Sequence, residues 1–213
     1  MSCASPFATV RMPAAMDRID ALGHATSLMK QMVRQLVVPG GDEEPKLIFL
    51  PVELASGAKS YCDEYEPRAA AKQITLERHF PHQATVAYTD RIAAGAVIDN
   101  ILSNAVKYSR MGGTITVRVH AAAGEGIVSI TDSGPGISAD DAASIFTRGG
   151  KLSARPTAGE SSTGYGLAIA KDLTEALHGR IWFHNEPAGG ATFFFALPLY
   201  DASRDRDVKA ATR

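Results

Sequence analysis

The order of strand and helix patterns along the chain most limits the fold that it can adopt. Short alternating or apolar runs predict seven strands, at residues 47–52, 74–80, 85–88, 114–120, 127–131, 180–184 and 191–197. Helical periodicity predicts helices at residues 54–72 with a break or kink near Pro67, at 91–108 with Asp90 as N-cap, and at 164–177. Because strands and helices come in mixed order, we expect a mixed sheet that carries helices on one face.

The composition is that of an ordinary globular protein and argues against several classes of function. Among 213 residues, 45% are hydrophobic and 21% are charged, and the net charge of -1 provides no basic field to attract nucleic acid. Cys3 and Cys62 are the only cysteines, so neither a disulfide framework nor a cysteine metal site is predicted. Without a signal peptide or an apolar run of roughly 20 residues, we expect a cytoplasmic chain.

The region before the predicted sheet has a helical pattern of its own. Its apolar stripe consists of Ile19, Leu22, Thr26, Met29, Val33 and Leu36. The helix ends before Pro39, and it either packs on its own domain or pairs with a second helix, as in a homodimer formed through residues 16–38. The chain is then predicted to comprise a loose leader at residues 1–15, this helical segment at 16–40, a domain at 41–200 and a disordered tail at 201–213.

The predicted helix at residues 91–108 carries a polar stripe beside its apolar side. Asn100, Asn104, Lys107 and Tyr108 stand at positions i, i+4, i+7 and i+8 and therefore share one face. The stripe is either a solvated helix face or a binding face. In the second case Asn104 offers an amide oxygen to a hard cation and Lys107 meets phosphate charge.

A second motif, Asp132-Ser133-Gly134-Pro135-Gly136-Ile137, follows a predicted strand. It is either an ordinary Gly-Pro turn or a site where Asp132 accepts a hydrogen bond from a ligand amine and the two glycines hinge the next segment. The residues that follow are rich in Gly, Ser, Ala and Pro, with one short helical stretch near residues 139–146. We call residues 137–163 the lid, because an irregular segment of this length in a compact domain is usually functional.

A third motif, Thr163-Gly164-Tyr165-Gly166-Leu167, opens the last predicted helix. Backbone N–H groups at a helix start bind phosphate well. The motif lacks the Gly-Lys-Ser/Thr of the Walker sequence. A single Gly-x-Gly occurs in many turns, so this motif gains meaning only from its order after the other two.

Taken together, the three motifs resemble those of the catalytic ATP-binding domain of sensor histidine kinases, within the larger group of gyrase, heat-shock chaperone, kinase and mismatch-repair ATPases. The resemblance covers residues 47–199. The matching segments are residues 100–108 (N box), 132–137 (G1 box), 145–148 (start of the F box), 164–167 (G2 box) and 189–199 (closing strand). The family implies a Bergerat fold: an α+β, two-layer α/β sandwich with a mixed, mainly antiparallel sheet, here preceded by one long helix.

The resemblance also implies roles for individual residues toward ATP and Mg²⁺. Asp132 would bind the adenine amine with support from Thr192, while Asn104 would coordinate Mg²⁺ with help from Asn100. Lys107 and Tyr108 would contact phosphate or ribose. The further nucleotide-binding residues implied are Gly134, Gly136, Ile137, Arg148, Thr163, Gly164, Tyr165, Gly166 and Leu167.

The sequence departs from the family in its histidines. A kinase needs an acceptor His in an acidic context on the first helix of a dimerising hairpin, and none of His24, His79, His82, His120, His178 and His184 has that context. Residues 16–38 better resemble the second helix of such a hairpin. We therefore expect the acceptor helix in a longer parent chain or in another protein, with a response regulator downstream. The alternative is an ATP-responsive regulator that binds a protein, like anti-sigma-factor kinases, or a scaffold without turnover.

The F box is incomplete as well, because Gly149 stands where a second Phe is common. Less apolar anchoring predicts a looser lid and a lower affinity for ATP. Protection of residues 137–163 from hydrogen exchange without nucleotide would contradict this expectation.

Asn100 predicts phosphoryl transfer rather than hydrolysis, since hydrolysing relatives carry Glu at this position and an amide cannot take a proton from water. We expect Asn100→Glu to raise ATP hydrolysis by the chain roughly tenfold, because a carboxylate supplies the missing base. Release of inorganic phosphate measures the effect, and an unchanged slow rate would remove the basis of this inference.

Overall fold

The computed structural model describes residues 47–149, 153–158, 160 and 164–202. The predictions for the leader, for the helix at residues 16–38 and for most of the charged tail lie outside these residues. Thr163 lies outside them too.

A five-stranded sheet forms one layer of the fold. Its strands are β2 (Thr75–His79), β4 (Thr114–Ala122), β5 (Glu125–Thr131), β6 (Arg180–Asn185) and β7 (Ala191–Pro198), while β1 (Leu50–Glu53) and β3 (Val86–Thr89) pair separately. The order in the five-stranded sheet is β2-β4-β5-β7-β6, with β2 parallel to β4 and every other pair antiparallel. The mixed, mainly antiparallel sheet expected from the sequence is confirmed.

Four helices lie in the described ranges: α1 (Leu54–Ala71), α2 (Arg91–Tyr108), α3 (Ala139–Ala142) and α4 (Gly166–Ala176). Asp90 is the N-cap of α2, as predicted, because its Oδ1 accepts from the N–H groups of Ile92 at 2.8 Å and Ala93 at 2.9 Å. Of the break or kink expected near Pro67, the break is wrong, since helix α1 continues through Pro67, while a kink there stays a prediction. Buried Cys62, Tyr65 and Ala69 hold the turns on both sides of the proline in the core. None of these helices is long and apolar enough to cross a membrane.

The hydrophobic core lies between the sheet and helix α2. Alternate residues of the central strands point toward it, as their period of two requires. Core residues that are at most 3% exposed include Ile115, Val117 and Val119 on β4, Val128 and Ile130 on β5, Phe195 and Leu197 on β7, and Val97, Ile98, Ile101 and Leu102 on α2. Helix α2 also contacts α1 and α4, so its position fixes the whole helical layer.

The opposite side of the sheet carries half-buried aromatic residues. The Trp182 and Phe194 rings stack with centroids 5.0 Å apart. The Arg180 guanidinium lies 4.3 Å from the Trp182 ring centroid and forms an exposed ion pair with Glu125 at 2.6 Å. Hydrogen bonding from Arg180 lowers the pKa of the Glu125 carboxyl.

Two neighbouring phenylalanines on β7 provide a matched test of which side forms the core. We expect Phe195→Ala to lower the free energy of unfolding by about 3–5 kcal/mol, because its ring is fully buried and leaves a cavity. Phe194→Ala should cost only about 1–2 kcal/mol, since its half-buried ring mainly loses the stack with Trp182. Urea unfolding measures both values, and equal losses would contradict the assignment.

Candidate nucleotide-binding site

The three sequence motifs meet at helix α2. At Asn100, the start of α4 approaches α2 closely, since a Cβ placed on Gly166 would lie 2.8 Å from Asn100 Oδ1. At the C-terminal end of α2, a Cβ placed on Gly134 would lie 2.8 Å from the Tyr108 carbonyl oxygen. The Ser133 N–H also donates to Ser109 Oγ at 3.2 Å. The fold thus brings the N box next to both the G1 and the G2 box, and the contact of Gly134 with the Tyr108 backbone requires glycine.

Asp132 lies just beyond the end of β5 and is 9% exposed. Its Oδ1 accepts from the Gly134 N–H at 2.8 Å and the Ala191 N–H at 3.3 Å. Oδ2 accepts no hydrogen bond from the residues that the structure describes. Burial raises the pKa of the Asp132 carboxyl, although the two N–H groups oppose the shift. The carboxylate is therefore fixed through one oxygen and can use the other for a donor such as an adenine amine.

Gly190 makes this position of Asp132 possible. Its φ is +96°, and a Cβ there would lie only 2.1 Å from the Asp132 carbonyl oxygen. No other residue fits at this crossing of the β6–β7 hairpin and the end of β5.

Thr192 makes no hydrogen bond to Asp132 in the described part of the chain. It pairs with Thr131, and the two hydroxyl oxygens lie 2.8 Å apart. The Thr192 hydroxyl also donates to Glu186. Because successive side chains of a strand alternate in direction, Thr192 lies on the other side of the sheet from Asp132. The backbone N–H of Ala191, one residue earlier, is the group on β7 that donates to Asp132, and support of adenine binding by Thr192 stays a prediction.

The polar stripe of α2 is partly ordered by the fold. Asn100 Nδ2 donates to the Ala96 carbonyl at 2.8 Å, which orients the amide with Oδ1 beside Gly166. Asn104 and Tyr108 are half-buried, and Lys107 is 9% exposed. Asn104 makes no side-chain hydrogen bond within the described part of the chain.

Asn104 is suited to Mg²⁺ as a single oxygen ligand. No group of three or more His, Cys, Asp or Glu residues in the described ranges could hold a metal ion by itself. Mg²⁺ in nucleotide sites usually takes only one or two protein oxygens and completes its shell with phosphate oxygens and water. The donor set therefore fits a metal that arrives with a nucleotide.

The beginning of the lid is clamped by a residue that the sequence did not reveal. Asn185, at the end of β6, accepts from the Ile137 N–H and donates to the Ile137 carbonyl, both at 2.8 Å. A Cβ on Gly136, whose φ is +76°, would lie 3.2 Å from Asn185 Oδ1. The Ile137 side chain packs against the core, so any contact with nucleotide involves its backbone or an edge of the side chain.

The G2 box begins its helix two residues later than predicted, at Gly166, because Gly164 has a φ of +70° that no α-helix accommodates. Tyr165 is the N-cap but provides no side-chain hydrogen bond, so the first N–H groups of α4 have no side-chain cap. Such a helix start suits phosphate. Leu167 is buried in the core and anchors the helix rather than presenting its side chain.

Arg148 of the F box is tied to helix α4. Its guanidinium forms an exposed ion pair with Asp172 at 2.6 Å, and that hydrogen bond raises the pKa of Arg148. The Gly149 N–H donates to the Gly164 carbonyl at 3.2 Å. The F box therefore adjoins the start of the G2 box, and Phe146 packs near Phe183 and Phe193 at centroid distances of 6.4 and 6.5 Å.

Comparison with known proteins agrees with this geometry. The family of histidine kinase-, DNA gyrase B- and HSP90-like ATPases matches residues 89–201, from the N-cap of α2 past the end of β7. The chain belongs to this family, as its motifs predicted.

Individual relatives are sensor kinases. The adaptive-response sensory kinase SasA of Nostoc sp. strain PCC 7120 is 32% identical over 173 residues, which cover 80% of this chain and 43% of that protein. The chain thus spans less than half the length of this relative.

Two solved structures share the fold. The mycobacterial sensor histidine kinase MprB has a TM-score of 0.62 at 25% identity, covering 71% of this chain and 98% of that one. Full-length ShkA, solved in complex with AMPPNP, has a TM-score of 0.66 at 25% identity, covering 91% of this chain and 40% of that one. The expected fold of a histidine kinase catalytic domain is confirmed.

The substitution Asp132→Asn distinguishes the effect of the carboxylate on nucleotide affinity from its effect on the free energy of unfolding. The substituted amide retains an oxygen that accepts from Gly134 and Ala191, but it loses the anionic acceptor, so we expect nucleotide affinity to fall roughly 10–100-fold. The free energy of unfolding at neutral pH should stay the same or rise slightly. The folded-state pKa of Asp132 is raised, so the ionised carboxylate costs stability above that pKa, and the cost disappears as the pH falls through it.

Nucleotide titration and urea unfolding at several pH values measure these effects. Asp63→Asn, which changes an exposed carboxylate on α1, is the matched control and should leave affinity unchanged. Full affinity in Asp132→Asn would exclude the carboxylate from nucleotide binding.

Proposed function

We propose that this chain is the ATP-binding catalytic domain of a two-component sensor histidine kinase, and that it transfers the γ-phosphoryl group of ATP to a histidine outside the domain. The observation that carries the proposal is the Asp132 carboxylate, which two backbone N–H groups fix through Oδ1 while Oδ2 accepts no hydrogen bond from the described residues. In this proposal the acceptor shares one site with the Asn100–Gly166 contact, because helix α2 adjoins both the Asp132 loop and the start of α4. Membership of the ATPase family supports the assignment of ATP as substrate.

Each part of the site has a role toward ATP in this proposal. Asp132 accepts from the adenine amine, Lys107 and Tyr108 lie toward the phosphates or ribose, and the N–H groups at Gly164 and Gly166 receive phosphate oxygens. Asn104 offers its amide oxygen to Mg²⁺, which neutralises charge on the phosphates when bound.

The chemistry proposed for the site is positioning rather than proton abstraction. The Asn100 amide donates to the Ala96 carbonyl, with its oxygen beside Gly166. An amide cannot act as a general base toward water at neutral pH. In the transfer, the bond between the γ-phosphorus and ADP breaks and a bond to an imidazole nitrogen forms. Charge compensation by Lys107 and the N–H groups of α4 supports this step.

The acceptor histidine and the response regulator are partners that the proposal requires. SasA, the relative of which this chain spans 43%, is a sensory kinase, so a longer parent or a second protein is the expected source of the acceptor helix. Pairing through residues 16–38, in a homodimer or a hetero-complex, is the proposed way in which such a helix associates with this chain. ATP, Mg²⁺ and response regulators meet in the cytoplasm, where we place the domain.

Titration of the full chain with a fluorescent ATP analogue, with and without Mg²⁺, tests the binding half of the proposal. Asp132→Ala should abolish binding in both conditions, because the adenine contact is lost. Asn104→Ala should lose the Mg²⁺-dependent gain, roughly tenfold or more, but keep the binding seen without the metal. Binding that survives both substitutions would place the nucleotide elsewhere.

Transfer is tested with γ-labelled ATP, Mg²⁺ and dimerisation hairpins taken from the similar sensor kinases. Label on the hairpin histidine, dependent on Asn104 and absent when that histidine is replaced, is the expected result. Nucleotide binding without label on any hairpin would contradict transfer and favour an ATP-responsive binding module.

A further inference from the structure

Lys72 follows directly after helix α1 and is 6% exposed. Its ammonium group donates to the Val106 carbonyl at 2.7 Å, to the Lys107 carbonyl at 3.1 Å and to Glu160 Oε1 at 3.0 Å. All three partners of this buried cation are therefore oxygens, two at the C-terminal end of α2 and one in the lid. A lysine ammonium has three N–H donors, so its hydrogen-bonding capacity is filled.

The lid makes a second set of bonds at the same helix end. The N–H and hydroxyl of Thr157 both donate to the Lys107 carbonyl at 3.0 Å, and the hydroxyl also lies 2.8 Å from the Ser109 carbonyl. Glu160 is braced within the lid, because its Oε2 accepts from the Ala158 N–H at 3.0 Å. We call Lys72, Thr157 and Glu160 the lid anchor.

The end of α2 explains why a buried cation is stable there. The last carbonyls of a helix have no partner within the helix and carry the negative end of its dipole. Lys72 satisfies two of them from outside the helix, and Glu160 balances the remaining charge at 11% side-chain exposure. Removing either member of a buried pair leaves the other without compensation, so the lid and the helix end depend on each other.

We propose that Lys72 is a positioning residue that couples the order of the lid to nucleotide affinity. It holds the carbonyl of Lys107, whose side chain belongs to the proposed phosphate contacts, and through Glu160 it fixes the distal part of the lid. Asn185 fixes the other end at Ile137. The described part of the lid is thus attached at Ile137 and again at Thr157 and Glu160. The lid anchor therefore predicts protection of residues 153–160 without nucleotide, in contrast to the looser lid that the incomplete F box predicts. This inference rests on the proposed function, because it concerns the same nucleotide site.

A simpler role for Lys72 is to cap α2 and nothing more. In that case Glu160 would be dispensable, since Lys72 keeps both carbonyls without it. Glu160→Ala therefore separates the two roles: it releases the lid but leaves the cap. Glu160→Gln retains an oxygen that can accept from Lys72, and it should restore part of the wild-type behaviour.

The test compares the full chain with Glu160→Ala, Glu160→Gln and a control, Glu125→Ala, which breaks the exposed ion pair with Arg180 outside the site. Without nucleotide, hydrogen exchange of residues 153–160 should be roughly tenfold faster in Glu160→Ala and intermediate in Glu160→Gln. With Mg²⁺ and a fluorescent ATP analogue, the dissociation constant of Glu160→Ala should rise roughly fivefold, and that of the control should not change. Thermal unfolding verifies that the variants remain folded.

A double-mutant cycle tests whether Lys72 and Glu160 affect nucleotide affinity through the same contact. Lys72→Met combined with Glu160→Ala should weaken nucleotide binding no more than Lys72→Met alone, because the two side chains act through one contact. Additive losses would overturn the coupling.

The two proposals fail in distinguishable ways. If the wild-type chain does not bind the nucleotide analogue, the proposed function fails, while exchange in the absence of nucleotide still tests the anchor. If the wild type binds and Glu160→Ala equals it in affinity, the coupling of lid order to affinity is wrong, whether or not exchange becomes faster.

Discussion

Burial of one side of helix α2 against the sheet is the interaction on which the rest of the structure depends. Val97, Ile98, Ile101 and Leu102 are at most 2% exposed and lock the helix in rotation as well as in position. An apolar stripe that is fixed in this way leaves the polar stripe one orientation only. Asn100 consequently faces the start of α4, and the C-terminal end of α2 meets both the Asp132 loop and the lid. Core packing therefore also determines which side of α2 faces the proposed nucleotide site.

The close approach of glycine backbone to neighbouring segments is the second physical constraint on the structure. Gly134, Gly166 and Gly190 each stand where a Cβ would come within 3 Å of Tyr108, Asn100 or Asp132. Gly134 and Gly190 let their segments approach Asp132, and Gly166 lets the start of α4 approach α2. The lid is joined to the sheet by the hydrogen bond between Ile137 and Asn185, and to the helical layer by the contact between Glu160 and Lys72.

Much of this was predictable because the signals are local. The polar stripe of α2, its Asp90 cap and the sequence of strands and helices along the chain follow from hydrophobic periodicity and capping chemistry. Both depend on a few neighbouring residues. Local rules failed where packing competes with propensity. Helix α1 continues through Pro67 because the core holds both flanking turns, and α4 starts at Gly166 rather than Gly164 because the preceding backbone turns left-handed.

By itself, the sequence determined the class of fold, the presence of the three motifs and the amide side chain at position 100. The tertiary structure alone decided which partners those motifs have. Strand register turns Thr192 away and delivers the Ala191 N–H to Asp132, since a shift of one residue exchanges the two sides of a sheet. The contact between Lys72 and Glu160 joins residues 88 positions apart, and no local pattern encodes a distance of that kind.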